Sequence, residues 1–527
     1  MSDTTVYLRE GVKIEPLMHG WHAWAHLIGP VQHGLNTAFR HVPIMKSFVA
    51  NPAVHVAACK NPALAGGPFI DLPASDVPRV KAHLEATAKA CDAIMELAKD
   101  YVAFDQNLQT ADGFSLNERY DALPPSMRGL VELHYDLNAH PKIRWFEGLL
   151  DGAGLNEHLE QLSITTSSDV GRPFFLSTPR LHGEQTLNLR FSDPIVDTLA
   201  KARLSGAPGA HLEAALGLER GGEAWNALTT STAPTLPAPQ PAPTEGEVRV
   251  TYFGHACVLL ESAQSTVLLD PALSWERYAP DAPLSMRDLP GRLDYLVISH
   301  GHHDHFSPEM LLQLRWRAGR VLVPAANSGS VADPSMKRML ARLGYADVRA
   351  LEPLEDEPLA DGRILSLPFP GEHSDLDIFS KQSVLVELAG KRFLFLVDSD
   401  AVDLRLYDRI AARIGPIDAL FLGMECGGAP LSWLYGPLLS RPLPRRQDES
   451  RRLSASDADK AIEVVRRLKP AMTYVYAMGQ ESFVSHLTGL AYEEDSIQLQ
   501  QMRRFLDLCQ NEGWAAAQLF GARRWTA

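Results

Sequence analysis

Four imidazoles and a carboxylate fall within six residues at His300-Gly301-His302-His303-Asp304-His305, directly after the apolar run Leu293-Asp294-Tyr295-Leu296-Val297-Ile298-Ser299. The run reads as a buried strand. His300 and His302, two apart on extended chain, project from one face. Asp304 and His305 follow where the chain must turn, because Ser307-Pro308 has the signature of an N-cap and a first helical position. A strand end and its adjoining loop can thereby converge ligands on two metal ions. Imidazole suits zinc and iron, and added carboxylates shift the preference toward oxygen-rich sites.

The 527 residues allow roughly two to four domains. With 45% hydrophobic and 22% charged residues, the composition is that of an ordinary soluble globular protein. A net charge of −14 argues against a general nucleic-acid binder, which carries a basic footprint. Cys59, Cys91, Cys257, Cys426 and Cys509 are scattered and never in C-x-x-C spacing. That argues against a cysteine zinc site and points to a reducing compartment. Asp3, Arg9, Glu10, Lys13 and Glu15 interrupt any apolar core near the start, so no signal peptide is expected. No run approaches the ~18 apolar residues of a membrane span. The expected location is the cytoplasm, with neither nucleic acid nor membrane as a partner.

The alternating Ala/Pro stretch from Ser231 to Thr244 reads as an extended, semi-rigid tether. It divides the chain into a mixed α+β N-terminal domain (1–230), a linker (231–246) and a C-terminal domain (247–527). In the first, apolar spacing at Val80, Leu84, Ala88, Cys91, Ile94 and Leu97 predicts a helix over Pro78 to Asp100. A second helix, Pro194 to Arg203, opens on Ser192-Asp193 after a strand from Thr186 to Phe191. His19, His22, His26, His33 and His41 have no compact ligand spacing and read as surface or hydrogen-bonded core residues. This domain suits dimerisation or substrate docking.

The C-terminal part reads as strands interleaved with helices. Val248–Phe253, Cys257–Glu261 and Thr266–Asp270 form a meander, and Ala389-Gly390-Lys391 joins Ser383–Leu388 to Arg392–Val397 as a hairpin. Helices are expected over Pro308–Trp316 and Ser456–Leu468, the latter opened by Ser456-x-x-Asp459 and burying Ile462, Val465 and Leu468. Two sheets with helices outside is the expected layering. Further ligands belong at later strand ends, and three places qualify: Pro370-Gly371-Glu372-His373, Val397-Asp398-Ser399-Asp400, and Ser485-His486. Asp398 has two oxygens with which to bridge two cations; otherwise it is a helix N-cap. His486 is a ligand or an ordinary loop histidine.

This succession resembles the metallo-β-lactamase superfamily across the C-terminal half. The resemblance implies an α/β fold, the four-layer αβ/βα sandwich with metals at the lip between two sheets. It implies that His300 and His302 hold metal one, that Asp304, His305 and His486 hold metal two, and that Asp398 bridges. One departure bears on the chemistry. Zinc hydrolases of the superfamily place a third histidine after a glycine in the middle loop, whereas here Gly371 is followed by Glu372 and then His373. Adjacent residues on extended chain point to opposite sides, so one of the two is expected to face the metals. With His373 the site is a zinc hydrolase for a lactone, thioester or phosphoester. With Glu372 it is richer in anionic oxygen and fits oxygen activation. A regulatory or scaffolding protein with a degenerate site is disfavoured, because every expected ligand position is filled.

Wider likeness favours Glu372. The chain resembles the dinuclear iron oxygenases of this fold, the aminoacyl β-hydroxylases of the kind found in chloramphenicol biosynthesis. The shared features are Gly254-His255-Ala256-Cys257-Val258, Gly371-Glu372-His373, Gly423-Met424-Glu425, Ser432-Trp433-Leu434-Tyr435-Gly436-Pro437-Leu438, Ser450-Arg451-Arg452-Leu453 and Tyr474-Val475-Tyr476-Ala477-Met478-Gly479. Gly20-Trp21-His22-Ala23-Trp24 and the proline-rich junction extend the match to nearly the whole chain. The resemblance implies two non-haem iron ions, O₂ and an external electron donor, with Glu372 and Asp398 central to catalysis. It also implies a substrate held as a thioester on a nonribosomal peptide synthetase carrier domain, and a homodimer formed through the N-terminal domain. Around the ligands, His373 orients Glu372 or packs, His255 fixes a loop, and Glu425 is a supporting carboxylate or a buried structural partner. Trp433 and Tyr435 line the substrate pocket or belong to the core. Arg441, Arg445, Arg446, Arg451 and Arg452 are either a docking patch for the carrier and its phosphopantetheine phosphate or a solvated charged loop.

Overall fold

The computed structural model describes residues 4–61, 64, 66–238, 240–275, 283–489 and 492–527. Asp3 and, in the Ala/Pro stretch, Pro239 lie outside the described residues. Alternation of side chains along strands builds the C-terminal half. Val258 and Leu260 enter the core between two sheets while Leu259 faces the other way, and Phe393 and Phe395 do the same against Leu394 and Leu396. Each sheet has seven strands. The first runs Val348–Leu351, Ala318–Pro324, Leu293–Val297, Thr266–Leu269, Cys257–Glu261, Arg249–Gly254, Arg523–Thr526. The second runs Asp356–Leu359, Gly362–Leu367, Ser383–Leu388, Lys391–Val397, Ala419–Gly423, Met472–Tyr476, Ala516–Gln518.

Both sheets begin with antiparallel pairs, including the expected meander and hairpin, and continue in parallel through helical crossovers. Pro308–Leu314 and Met336–Arg342 serve the first sheet; Leu404–Ile414, Ala458–Leu468 and Ile497–Glu512 cover the second. Stacked Phe395 and Phe421, with ring centroids 4.4 Å apart, fill the middle layer. The result is the expected αβ/βα sandwich. Parallel strands deliver their carboxyl ends to one edge, the usual place for a site in such sheets.

The outer face of the first sheet is covered by the N-terminal region. Leu259, Leu268 and Leu296 belong to one apolar cluster with Leu27, Ile28, Val196 and Leu199. A four-stranded sheet (Trp21–His22, Val12–Met18, Glu160–Thr166, Gln185–Asn188) lies in that region among helices. Buried ion pairs cross the seam. Arg172 reaches Glu309 through both terminal nitrogens at 2.7 and 3.0 Å and lies 3.2 Å from Glu15. Residues 231–238 and 240–248 form neither helix nor strand. Among the described residues no helix is long and apolar enough to cross a membrane.

Local details depart from sequence expectation. The helix expected over 78–100 is two, Val77–Ala90 and Asp92–Leu108, broken at Cys91 with φ −105° and ψ 13°. The apolar spacing runs on through the break because Val80, Cys91, Ile94 and Leu97 are all buried. The strand expected over 186–191 is Gln185–Asn188; beyond it the Phe191 N–H donates to the Glu160 carboxylate at 2.7 Å instead of to a strand. The cap of Ala458–Leu468 is Asp457, whose side chain accepts from the Lys460 N–H, while the Ser456 hydroxyl is engaged by the Ala401 N–H. His22, His26, His33 and His41 are all buried.

Candidate metal centre

Sharp turns at the strand ends aim the ligands. Asp270, Val397 and Ala477 follow or close strands with φ of 39°, 52° and 51°, a region that costs a non-glycine residue about 1–3 kcal/mol and clusters at functional sites. After Leu293–Val297 the chain forms an isolated bridge between His300 and Lys381, just ahead of the strand Ser383–Leu388, turns through His302–Phe306, and enters the next helix with Ser307 as N-cap. Among the described residues, four groups of potential ligands each bring one donor atom per residue within 4.8 Å of one another: His300, His302 and Glu372; His300, His305 and Asp398; His255, Asp304 and His305; and Glu15, His22 and Glu309. The first three share members and form one cluster. Asp398 Oδ2 lies 2.9 Å from His305 Nε2 and 3.9 Å from His300 Nε2, at the junction of two subsites.

Hydrogen bonds fix which nitrogen each histidine offers. Asp270 accepts from Ser299 Oγ at 2.7 Å and from His305 Nδ1 at 3.0 Å. The Ser299 hydroxyl, having donated to Asp270, accepts from His300 Nδ1 at 2.9 Å. Both rings therefore carry a proton on Nδ1 and turn Nε2 to the cluster, where the His300 Nε2 is buried without a hydrogen-bond partner and the His305 Nε2 lies against Asp398 Oδ2. His302 is turned the other way. Its Nε2 meets Tyr435 Oη at 2.9 Å and its Nδ1 lies 2.5 Å from Glu372 Oε1. A carboxylate oxygen and an imidazole nitrogen that close need a cation or a shared proton between them. This pattern, with one nitrogen held by the protein and the other free, is the usual support of metal-binding histidines.

His255 belongs to that support. The Gly479 N–H donates to its Nδ1 at 3.2 Å, so the proton sits on Nε2, which donates to Asp304 Oδ2 at 3.0 Å. An imidazole committed at both nitrogens orients Asp304 and has no lone pair left for a metal.

Glu372 and His373 both face the cluster, contrary to the alternation expected of extended chain. Gly371, Glu372, Ser374 and Asp375 have φ of 77°, 66°, 54° and 58°, so the segment coils and places neighbouring side chains on one side. His373 stacks on His302 with centroids 4.4 Å apart, and its Nδ1 lies 2.6 Å from Glu372 Oε2. A Cβ on Gly371 would lie 2.5 Å from Asp400 Cβ, so only glycine lets this loop approach the Asp398 loop. Lys381 Nζ and Arg451 Nε donate to the Gly371 and Ser374 carbonyls at 3.0 and 2.9 Å and hold the coil in place.

Charge follows geometry. Burial alone would raise the Glu372 carboxyl, but His302 and His373 hold it well below the usual carboxylate range. Burial brings His373 down to about 4, against the pull of Glu372. Burial raises Asp398 despite His305, and burial with the charges of Asp304, Asp398 and Glu372 raises Glu425 well above its ordinary value.

A cleft of about 80 Å³ opens on the cluster, walled by Phe175, His303, Glu425, Trp433, Leu453 and Leu487. Trp433 is anchored by its indole N–H on the Gly66 carbonyl at 2.6 Å. Tyr435 lies behind His302 rather than on this wall. The arginine cluster divides. Arg441, Arg445 and Arg446 are exposed, while Arg451 and Arg452 are half-buried and donate to the Ser374 and Gly428 carbonyls. His486 is buried in the helical turn Ser485–Thr488, 6.3 Å from the His22 ring centre, and joins none of the compact groups.

Sequence reasoning missed two residues. Asp270 organises His300 and His305; its only signal was an aspartate closing an apolar strand. His22 shares no ligand spacing with the other N-terminal histidines, yet its Nε2 lies 2.7 Å from His303 Nε2.

Comparison with known proteins gives a consistent picture. The family model described as the diiron non-heme beta-hydroxylase N-terminal domain matches residues 7–232, and that of the beta-lactamase superfamily domain matches residues 265–476. The chain is 34% identical over 498 residues to the 4-amino-L-phenylalanyl-[CmlP-peptidyl-carrier-protein] 3-hydroxylase of Streptomyces venezuelae, spanning 92% of this chain and 93% of that protein. It superposes on the crystal structure of CmlA, a diiron beta-hydroxylase from Streptomyces venezuelae, with a TM-score of 0.91 at 32% identity, covering 100% of each chain. A UPF0173 metal-dependent hydrolase of Anaeromyxobacter sp. (strain K) is 38% identical, but over 92 residues, 17% of this chain and 32% of that protein.

Proposed function

The chain belongs to the diiron non-heme β-hydroxylases, and from that premise we propose that it hydroxylates the β-carbon of an aminoacyl group tethered as a thioester to a peptide-synthetase carrier domain. The observation that carries the reading is Glu372, a buried carboxylate on the His300–His302 subsite where a hydrolase of this fold would place an imidazole. The donor set fits two iron ions: His300 Nε2 and Asp398 Oδ1 are buried without a hydrogen-bond partner, and His305 Nε2 and the Glu372 carboxylate are buried beside them. His300, His302 and Glu372 would hold one ion, Asp304, His305 and His486 the other, and Asp398 both. His486, outside the compact groups, is assigned on family likeness alone.

When bound, two irons reduced by an outside donor supply the chemistry of splitting O₂, one oxygen entering the C–H bond and the other leaving as water. The protein's own residues do the rest. Asp270, Ser299 and Tyr435 fix the ligand tautomers, and His373 keeps Glu372 turned inward. Phe175, Leu453 and Leu487 give the cleft apolar walls that exclude water, and Trp433 offers a ring face to the acyl side chain.

The exposed Arg445 and Arg446 sit on the short helix Arg445–Ser450, whose Asp448 accepts from Ser432 N and Oγ, next to Trp433. With Arg441 they form a basic entrance suited to the carrier and its phosphorylated arm. Charge reversal of Arg445 and Arg446 weakens turnover in a salt-sensitive way in this account. The N-terminal region would mediate a homodimer, residues 231–246 would tether it to the catalytic half, and the protein would act in the cytoplasm with a separate electron donor. The test is mass spectrometry of a carrier-bound aminoacyl substrate after reaction under ¹⁸O₂ with a chemical reductant. One ¹⁸O at the β-carbon is expected; release of the acyl group by hydrolysis would overturn the reading.

A further inference from the structure

Arg40 stands on a turn that the sequence forces open. Pro43 has no N–H, and its ring crowds the carbonyl four residues back. The helical run from Pro30 to Ala50 widens over Thr37–His41, where the Val42 N–H reaches five residues back to the Thr37 carbonyl. Such π turns are rare and frequent at functional sites. This one aims Arg40 at the catalytic half. Its Nη2 donates to the Trp433 carbonyl at 2.6 Å and to the Leu434 carbonyl at 3.2 Å, and its Nη1 donates to Asn36 Oδ1 at 3.0 Å. Asn36 is fully buried and commits its amide N–H₂ to the His26 and Gln32 carbonyls, each at 3.1 Å, which leaves Oδ1 to accept. Among the described residues Arg40 makes no ion pair; burial alone brings it down to about 9, so it stays charged at neutral pH. A guanidinium is seldom taken out of water without a carboxylate, and here only carbonyl oxygens receive it.

The helix it grips, Leu431–Tyr435, has five residues and is too short to hold itself. Pro437 has no N–H to offer the Trp433 carbonyl four residues back, and Arg40 takes that place. Two working side chains leave this helix. Trp433, its indole N–H on the Gly66 carbonyl at 2.6 Å, walls the cleft, and Tyr435 Oη meets His302 Nε2 at 2.9 Å. We propose that Arg40 is a positioning residue of the catalytic centre: from the N-terminal region it holds the carbonyl end of Leu431–Tyr435, and so sets both the Trp433 wall and the Tyr435 hydroxyl against which His302 is oriented. The N-terminal region then completes the support of one iron and one side of the cleft. This rests on the hydroxylase reading above for the identity of the metal, while the geometry requires only His302 as a ligand.

The test is a cycle of four proteins, wild type, Arg40→Met, Tyr435→Phe and the double variant, with the fold checked by circular dichroism. Anaerobic titration of ferrous ion against a competing chelator gives the affinity of each of the two sites. Loss of a support of this kind lowers metal affinity by about 10- to 100-fold. Arg40→Met should weaken one ion by about tenfold and leave the other within about threefold. In the Tyr435→Phe background the same substitution should add less than about threefold, because its route to His302 is already cut. With a carrier-bound aminoacyl substrate, KM should rise in Arg40→Met, through Trp433, and stay within about twofold of wild type in Tyr435→Phe. Arg40→Lys keeps the charge and can reach one carbonyl, so its iron affinity should fall between those of wild type and the methionine variant. Equal weakening of both ions in Arg40→Met would mark a merely structural role and overturn the inference. So would an unchanged iron affinity or KM, or a tenfold loss repeated in full in the Tyr435→Phe background. Should Arg40→Met fail to fold, Arg40→Lys carries the same comparison, and a lysine protein that matches wild type at both iron sites overturns the inference. Wild type that binds two ferrous ions yet hydroxylates nothing would overturn the proposed reaction alone, since iron is titrated without substrate.

Discussion

Replacing Asp270 with asparagine tests the ligand geometry without touching a ligand. The carboxylate is 1% exposed and accepts from Ser299 N and Oγ, each at 2.7 Å, and from His305 Nδ1 at 3.0 Å. An amide keeps the bond from the Ser299 N–H but turns a donor toward the other two. N–H facing N–H is repulsive, so His305 moves its proton to Nε2, the nitrogen 2.9 Å from Asp398. The Ser299 hydroxyl now accepts from the amide and donates to His300 Nδ1, which drives the His300 proton to Nε2 as well. Two nitrogens facing the cluster lose their lone pairs through one substitution. Loss of a single supporting partner typically costs about 10- to 100-fold in metal affinity; with two ligands disturbed, the expectation is the upper end, roughly 100-fold or about 2.7 kcal/mol. Anaerobic titration of ferrous ion against a competing chelator measures this directly. Asp270→Asn binding within threefold of wild type would show that the tautomers are not set as described.

Three other outcomes are expected. Glu372→Ala should lose most bound iron and hydroxylation, whereas His373→Ala, which removes a support of that carboxylate, should retain iron with about 10- to 100-fold less activity; the reverse order by iron analysis and turnover would mean the wrong neighbour carries the metal. Arg172→Met leaves Glu15 and Glu309 short of a buried partner and should cost about 3–5 kcal/mol in denaturant unfolding; a loss below about 1 kcal/mol would remove this network from the seam. Burial next to Arg342 lowers His33 to about 3, so the unfolded chain takes the extra proton first as pH falls below 6.5. Stability should therefore decline on acidification toward pH 3, and His33→Gln should lessen the drop between pH 7 and 5 by roughly 2 kcal/mol; an identical pH slope in the variant would contradict this.

Much of the architecture was legible because it is periodic. Strands such as Lys391–Val397 declare both faces by alternation, and Ala389-Gly390 adopts the positive φ pair that the hairpin needs. The crowding of His300, His302, Asp304 and His305 pointed to a candidate metal site through spacing alone, and the structure brings these side chains into one cluster. What remained hidden depends on contacts between distant segments. Asp270 looks like any aspartate at a strand end until Ser299 and His305 fold onto it. His22 has no ligand spacing because its partner, His303, is 281 residues away. Glu372 and His373 illustrate a different failure. Alternation holds only for extended chain, and the positive φ of Gly371, Glu372, Ser374 and Asp375 could not be read from residue types.

Anomalous diffraction from crystals of aerobically purified protein, collected on either side of the iron and zinc edges, tests the central claim most directly. The account predicts two iron peaks per chain among His300, Asp304, His305 and Asp398, with the Glu372 carboxylate ligating the ion that His302 Nδ1 holds. Zinc peaks with Glu372 turned away, or the His373 ring in its place, would contradict it.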